Sequence, residues 1–110
     1  MLKKAVIFGI KGTKLSSREK FFFTRHKPWG IILFSRNIKN LHQLKHLINN
    51  IKKIFNDKNY PILIDQEGGR VSRLNKILDF TLFSQKFFSN LYSKDKKFFF
   101  HNYSTYINSV

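Results

Sequence analysis

An α/β fold built on parallel strands is what the sequence predicts, on three observations. Short apolar runs recur within Lys3–Ile10, at Ile31–Phe34 and at Ile62–Ile64, and the last two end abruptly in polar residues. Helical signals fill the two intervals between the runs. The connections are short. Strand, helix, strand, helix, strand in that order is the pattern of βαβ units, whose crossovers make neighbouring strands parallel and are expected to be right-handed.

The elements follow in chain order. Lys3–Ile10 alternates poorly but is rich in Val, Ile and Phe, which suits a strand covered on both faces. Gly12-Thr13 breaks it. Ser16 followed by Glu19 is a capping-box pattern, so a short helix is expected from about Ser17 to Arg25. Phe21, Phe22 and Phe23 cannot all face one side of it. Pro28 disfavours helical geometry in the residue before it and ends the helix. Ile31–Phe34 then reads as a second buried strand, with Ser35-Arg36-Asn37 at its carboxyl end. Asn40 is suited to cap the next helix, with Gln43 at its third position. Leu41, Leu44, Leu47, Ile48, Ile51, Ile54 and Phe55 fall at helical spacing, the strongest periodicity in the chain. Asn56–Asn59 closes that helix, and the strand after Pro61 follows. Beyond Leu74 a loop leads to a helical stretch containing Phe83, Phe87, Phe88 and Leu91. Ser93 or Asp95 is placed to cap a last helix carrying Phe99, Tyr103, Tyr106, Ile107 and Val110 on one face.

At 110 residues the chain is one small domain at most. It has no cysteine, which removes disulfides and thiolate metal sites. Met1–Ile10 has a basic start and an apolar run, but Gly9 and Lys11 interrupt it, and a first strand fits better than a signal peptide. No segment approaches the ~20 apolar residues that cross a bilayer. A formal charge of +15, from 21 Lys and Arg against six acidic residues, is of the kind that attracts nucleic acid or an anionic membrane surface. Here the lysines are spread along every segment and no nucleic-acid module signature is present. Abundant Lys, Asn, Ile and Phe with sparse Ala and Gly resemble a compositional drift.

The most informative stretch is Tyr60–Leu74, Y-P-I-L-I-D-Q-E-G-G-R-V-S-R-L. An apolar run delivers Asp65, Gln66 and Glu67 to a strand's carboxyl end, where parallel α/β folds bind ligands. Gly68-Gly69 then lets the backbone turn. Asp65 and Glu67 have the residue types of a glycosidase pair, with ~5–5.5 Å between carboxyls in retaining enzymes. Both would approach the sugar from one segment, whereas that chemistry needs groups on opposite sides of the anomeric carbon, so the pair is rejected as the machinery. A surface turn in which Arg70 and Arg73 neutralise Asp65 and Glu67 is the plainer alternative.

The blocks P-W-G-I-I-L-F-S-R-N-I at Pro28–Ile38 and D-Q-E-G-G-R-V-S-R-L at Asp65–Leu74, with the helix between them, resemble in order and spacing the signature of family 3 glycoside hydrolases. Within that family the likeness is to single-domain bacterial β-N-acetylhexosaminidases, of which the chain would supply about the first third. The resemblance implies the first three β/α units of an incomplete (β/α)8 TIM barrel, filling residues 1–110 with no second domain. It implies hydrolysis of terminal β-linked N-acetylglucosamine from peptidoglycan fragments in the cytoplasm, through a covalent glycosyl intermediate and without a cofactor. The implied partners are an N-acetylglucosamine-containing muropeptide and a missing C-terminal part of the same enzyme.

Carried onto matching positions, Asp65 resembles the aspartate that accepts hydrogen bonds from sugar hydroxyls, and Arg73 the arginine that also contacts the sugar. Arg70, Gln66 and Glu67 belong to the same block as groups shaping the loop. Arg36 and Asn37 match a pair that supports neighbouring loops; a plain helix-entry turn explains them equally well. Trp29 and Phe34 are expected to pack in the core beside Pro28 rather than stack on sugar. The family's lysine-histidine-phenylalanine-proline-glycine-histidine-glycine segment, with its acid/base histidine, and its aspartate nucleophile have no counterpart in these residues. His26, His42, His46 and His101 all lie in or beside helical segments. His42 and His46 have metal-binding spacing, but with no third ligand nearby a solvated helix surface is expected. Two other classes stay open: a small basic module for nucleic acid or membrane surfaces, which predicts salt-sensitive binding, and a gene remnant, which predicts an insoluble or molten product.

Overall fold

A computed structural model describes residues 2–66, 72–79 and 82–109. The chain divides between Asp65 and Gln66 into two compact units. The first holds β1 (Lys4–Gly9), α1 (Ser17–His26), β2 (Pro28–Leu33), one 3-10 turn (Ser35–Asn37), α2 (Leu41–Phe55) and β3 (Ile62–Ile64). Its sheet has the order β1-β2-β3, with both pairs parallel.

Local chemistry sets the helix ends. The Ser16 hydroxyl accepts the Glu19 amide at 3.1 Å, and the Glu19 carboxylate accepts the Ser16 amide at 2.8 Å. Lys27 closes α1 in the left-handed region at φ 47°, donating its amide to the Phe23 carbonyl. The Lys27 carbonyl then accepts the Lys4 amide at 2.9 Å, which draws the chain into the ladder at once. For that reason β2 begins at Pro28 rather than at the expected Ile31. The Asn40 side chain caps α2 by accepting the Gln43 amide at 2.8 Å.

Both helices pack on one face of the sheet. Phe23 of α1 and Leu47, Ile51 and Phe55 of α2 share a core with Ile31 and Leu33 of β2 and with Ile10, Leu15 and Tyr60. Phe8 and Ile62 pack against the same core. Strand alternation and the register put Ile7, Gly30, Ile32 and Leu63 on the other face.

Two expectations are corrected here. The first strand is not covered on both faces: β1 is an edge strand, Ala5 is exposed and Ile7 is 43% exposed. Trp29 is not a core residue; it is 46% exposed, beside Ala5, Val6 and Ile7 in a shallow depression. The departure at β1 has a plain cause: α1 and α2 cover one face of the sheet, and a local apolar pattern does not say which face. The phenylalanine triplet splits, with Phe23 buried and Phe21 67% exposed.

Two packing details carry predictions. A Cβ added at Gly30 would lie 3.1 Å from the Pro61 carbonyl oxygen and 3.1 Å from a Leu63 methyl, where β2 and β3 meet. Gly30→Ala is therefore expected to lower stability by about 1–3 kcal/mol, read as a lower urea midpoint. Tyr60 stacks on Phe55 at 3.8 Å between ring centroids and donates its hydroxyl to the Pro28 carbonyl at 2.7 Å. Burial, with Asp57 nearby, pushes its phenol from the ordinary 10.0 up to about 12. The folded chain thus holds the proton longer than the unfolded chain. The resulting stabilisation is full below the unfolded pKa and is lost as pH rises from 10.0 to about 12. Urea midpoints measured at successive pH values should fall more steeply over that window in the wild-type chain than in Tyr60→Phe.

The second unit holds α3 (Gln85–Lys94) and α4 (Lys96–Ser109). Ser84 caps α3 through the Phe87 amide at 3.1 Å, and the Asp95 carboxylate accepts the Phe98 amide at 3.0 Å at the start of α4. Phe88 is the buried centre of an aromatic cluster with Phe83, Phe99, Tyr103 and Tyr106. Among the described residues no helix is long and apolar enough to cross a membrane.

Candidate functional site

The carboxyl ends of β1 and β2 are tied together by one buried side chain. Asn37 is fully buried, and its Nδ2 donates to the carbonyls of Ile10 at 3.0 Å and Gly12 at 2.8 Å. Its Oδ1 accepts the Phe34 amide at 2.9 Å. Asparagine suits this position because it offers two donors and an acceptor in one plane without charge. Arg36 is exposed, donates Nε to the Ile10 carbonyl at 3.1 Å and lays its guanidinium 4.8 Å from the centre of the Phe34 ring.

One further side chain, Gln43, joins these loops and another, Glu19, braces the first of them; the sequence reading gave both only helix-start roles. Gln43 donates Nε2 to the carbonyls of Thr13 at 2.8 Å and Asn37 at 2.9 Å, while its Oε1 accepts the Lys39 amide at 2.7 Å. Glu19 accepts the Lys11 amide at 2.9 Å besides closing its own helix. Burial works against its ionised form, but the Ser16 and Lys11 amides outweigh burial and hold the carboxyl below its ordinary 4.5. The sequence signal for both was their place at a helix start; the reach of Gln43 to a second loop had none.

The third strand end carries Asp65. It follows directly on Ile64 of β3 and is exposed. An ionised carboxylate there has the capacity to accept several hydrogen bonds from hydroxyl groups.

In the second unit Gln66 is half-buried. Its Oε1 accepts the amides of Arg73 at 2.8 Å and Leu74 at 3.3 Å, and its Nε2 donates to the Ser72 hydroxyl at 3.0 Å. Ser72 is buried and Arg73 half-buried. The Leu74 carbonyl then accepts the amides of Ile77 and Leu78, both at 2.8 Å, in a tight turn. Glu67 and Arg70 lie outside the described residues, as do the two glycines between them.

The described histidines do not converge. His26 lies against the Phe22 ring at 4.5 Å between centroids, with its Nδ1 3.3 Å from the Lys4 ammonium. His42 and His46 are neighbours on α2, 5.3 Å between ring centroids, and His101 lies on α4. Among the described residues no group of three His, Cys, Asp or Glu side chains is placed to hold a metal ion.

Comparison with known proteins gives a consistent answer. No family model matches the chain. A beta-hexosaminidase of Alkalilimnicola ehrlichii is 40% identical over 78 residues, which is 69% of this chain and 22% of that protein. Crystal structures of NagZ from Neisseria gonorrhoeae match in three dimensions. One, in complex with N-trifluoroacetyl-D-glucosamine, has a TM-score of 0.59 at 35% identity over 69% of this chain and 21% of its own. Another, in complex with zinc ion, has a TM-score of 0.64 at 30% identity over 84% of this chain and 27% of its own. The likeness is to the N-terminal part of a NagZ-type hexosaminidase. The matched part of the chain spans about a fifth of the length of that hexosaminidase. A continuous match of that extent cannot miss the middle of the chain, so it includes Arg36, Asn37, Asp65 and Arg73.

Proposed function

We propose that this chain forms the opening β/α units of a β-N-acetylhexosaminidase barrel and contributes part of its sugar-binding wall. The observation that carries the reading is Asp65, exposed at the carboxyl end of β3 within the stretch shared with hexosaminidases. The sheet supports it. Sequential order with both helices on one face is the winding of a β/α barrel, whereas doubly wound sheets reverse their order and cover both faces. Ile7, Ile32 and Leu63 then belong to the barrel interior.

In this reading Asp65 accepts hydrogen bonds from hydroxyls of a terminal N-acetylglucosamine, and Arg73 gives a second contact to the same sugar. That a matching Neisseria gonorrhoeae structure is a complex with N-trifluoroacetyl-D-glucosamine supports a hexosamine as the class of ligand. Arg36, Asn37, Gln66, Glu67 and Arg70 support the loops. The reaction is hydrolysis of a terminal β-linked N-acetylglucosamine from a muropeptide in the cytoplasm, with the acid/base and nucleophile supplied from beyond these residues. Three parallel strands do not close a barrel, and an uncovered apolar face invites association.

Purified residues 1–110 are expected to show no turnover of an aryl N-acetylglucosaminide. Catalysis well above background would overturn the incomplete-site reading. A chimera in which this chain replaces the corresponding part of the Neisseria gonorrhoeae enzyme is expected to hydrolyse the same substrate.

A further inference from the structure

We infer that Gln66 is a positioning residue that fixes the backbone carrying Arg73. The inference rests on the reading of Asp65 and Arg73 as sugar contacts, and it adds how the arginine is held. Gln66 is joined to Asp65 by a peptide bond, yet its side chain bonds seven and eight residues ahead. Its Oε1 takes the amides of Arg73 at 2.8 Å and Leu74 at 3.3 Å together, and its Nε2 reaches the Ser72 hydroxyl at 3.0 Å. Ser72 is only 8% exposed, so these bonds have little competition from water.

One amide side chain therefore holds three consecutive residues. A shorter side chain would not span the gap, and an apolar one would leave two amides without this acceptor. Glutamate keeps an oxygen for both amides, the pair of bonds that holds Arg73 and Leu74. The sugar contact of Arg73 is thus coupled to the residue that follows Asp65, and an arginine set in place before substrate arrives loses less side-chain freedom on binding.

The test uses two readouts. In the 110-residue chain, Gln66→Ala should speed hydrogen exchange at the Arg73 and Leu74 amides about tenfold or more, and Gln66→Glu should restore protection. In the chimera, Gln66→Ala should raise KM about tenfold with kcat changed less than about threefold, and Gln66→Glu should return KM towards the parent value. Unchanged exchange at both amides overturns the inference. So does faster exchange with an unchanged KM when Asp65→Ala abolishes activity, which leaves the sugar-binding reading intact. If Asp65→Ala leaves KM and kcat unchanged, the sugar-binding reading falls and the inference with it.

Discussion

Replacing Asp65 by alanine in the chimera is expected to cut kcat/KM by roughly 10^2- to 10^4-fold without loss of fold. The size follows from two hydrogen bonds to an ionised acceptor, each contributing about 1.5–3 kcal/mol. Asp65 is exposed where β3 ends, so its removal opens no cavity in the core. Asp65→Asn should lie between the two, because the amide keeps one acceptor but loses the charge. Steady-state kinetics with an aryl N-acetylglucosaminide, beside far-UV circular dichroism, separates a lost sugar contact from a lost fold.

Replacing Asn37 by alanine should instead destabilise the folded state, by about 3–5 kcal/mol. The side chain is fully buried and makes three hydrogen bonds, to the Ile10 and Gly12 carbonyls and from the Phe34 amide. Its loss leaves the Phe34 amide without that acceptor and opens a void between two loops. Asn37→Asp should be comparably destabilising near neutral pH, because a carboxylate oxygen would face two carbonyl oxygens. The deficit should shrink as pH falls, since the protonated acid is favoured in the folded state and regains one donor. Urea unfolding of both variants between pH 4 and 7 checks the size and the sign.

What was legible in the sequence was mostly local. The Ser16–Glu19 box, the Asn40 cap and the α2 stripe from Leu44 to Phe55 are each settled within a few residues and found in the structure; Leu41 is half exposed, and of Ser93 and Asp95 it is Asp95 that caps the last helix. Parallel pairing followed from the order of elements, and the hexosaminidase likeness from two short blocks at fixed spacing. The covering of β1 and the burial of Trp29 were misjudged, because an apolar run does not say whether anything lies over it. The early start of β2 depends on Lys27 at φ 47°, a conformation its residue type does not announce. Asn37 and Gln43 illustrate the same limit. Their types and their places beside helix starts were visible, but bonds to carbonyls 25 to 30 residues away exist only once the strands are paired.

The most direct test is a crystal structure of the chimera with N-acetylglucosamine bound. The account predicts both Asp65 carboxylate oxygens within about 3 Å of sugar hydroxyls, at the carboxyl end of β3. A sugar bound in the active centre with Asp65 turned away from it, held instead by the protein's own groups, would contradict it.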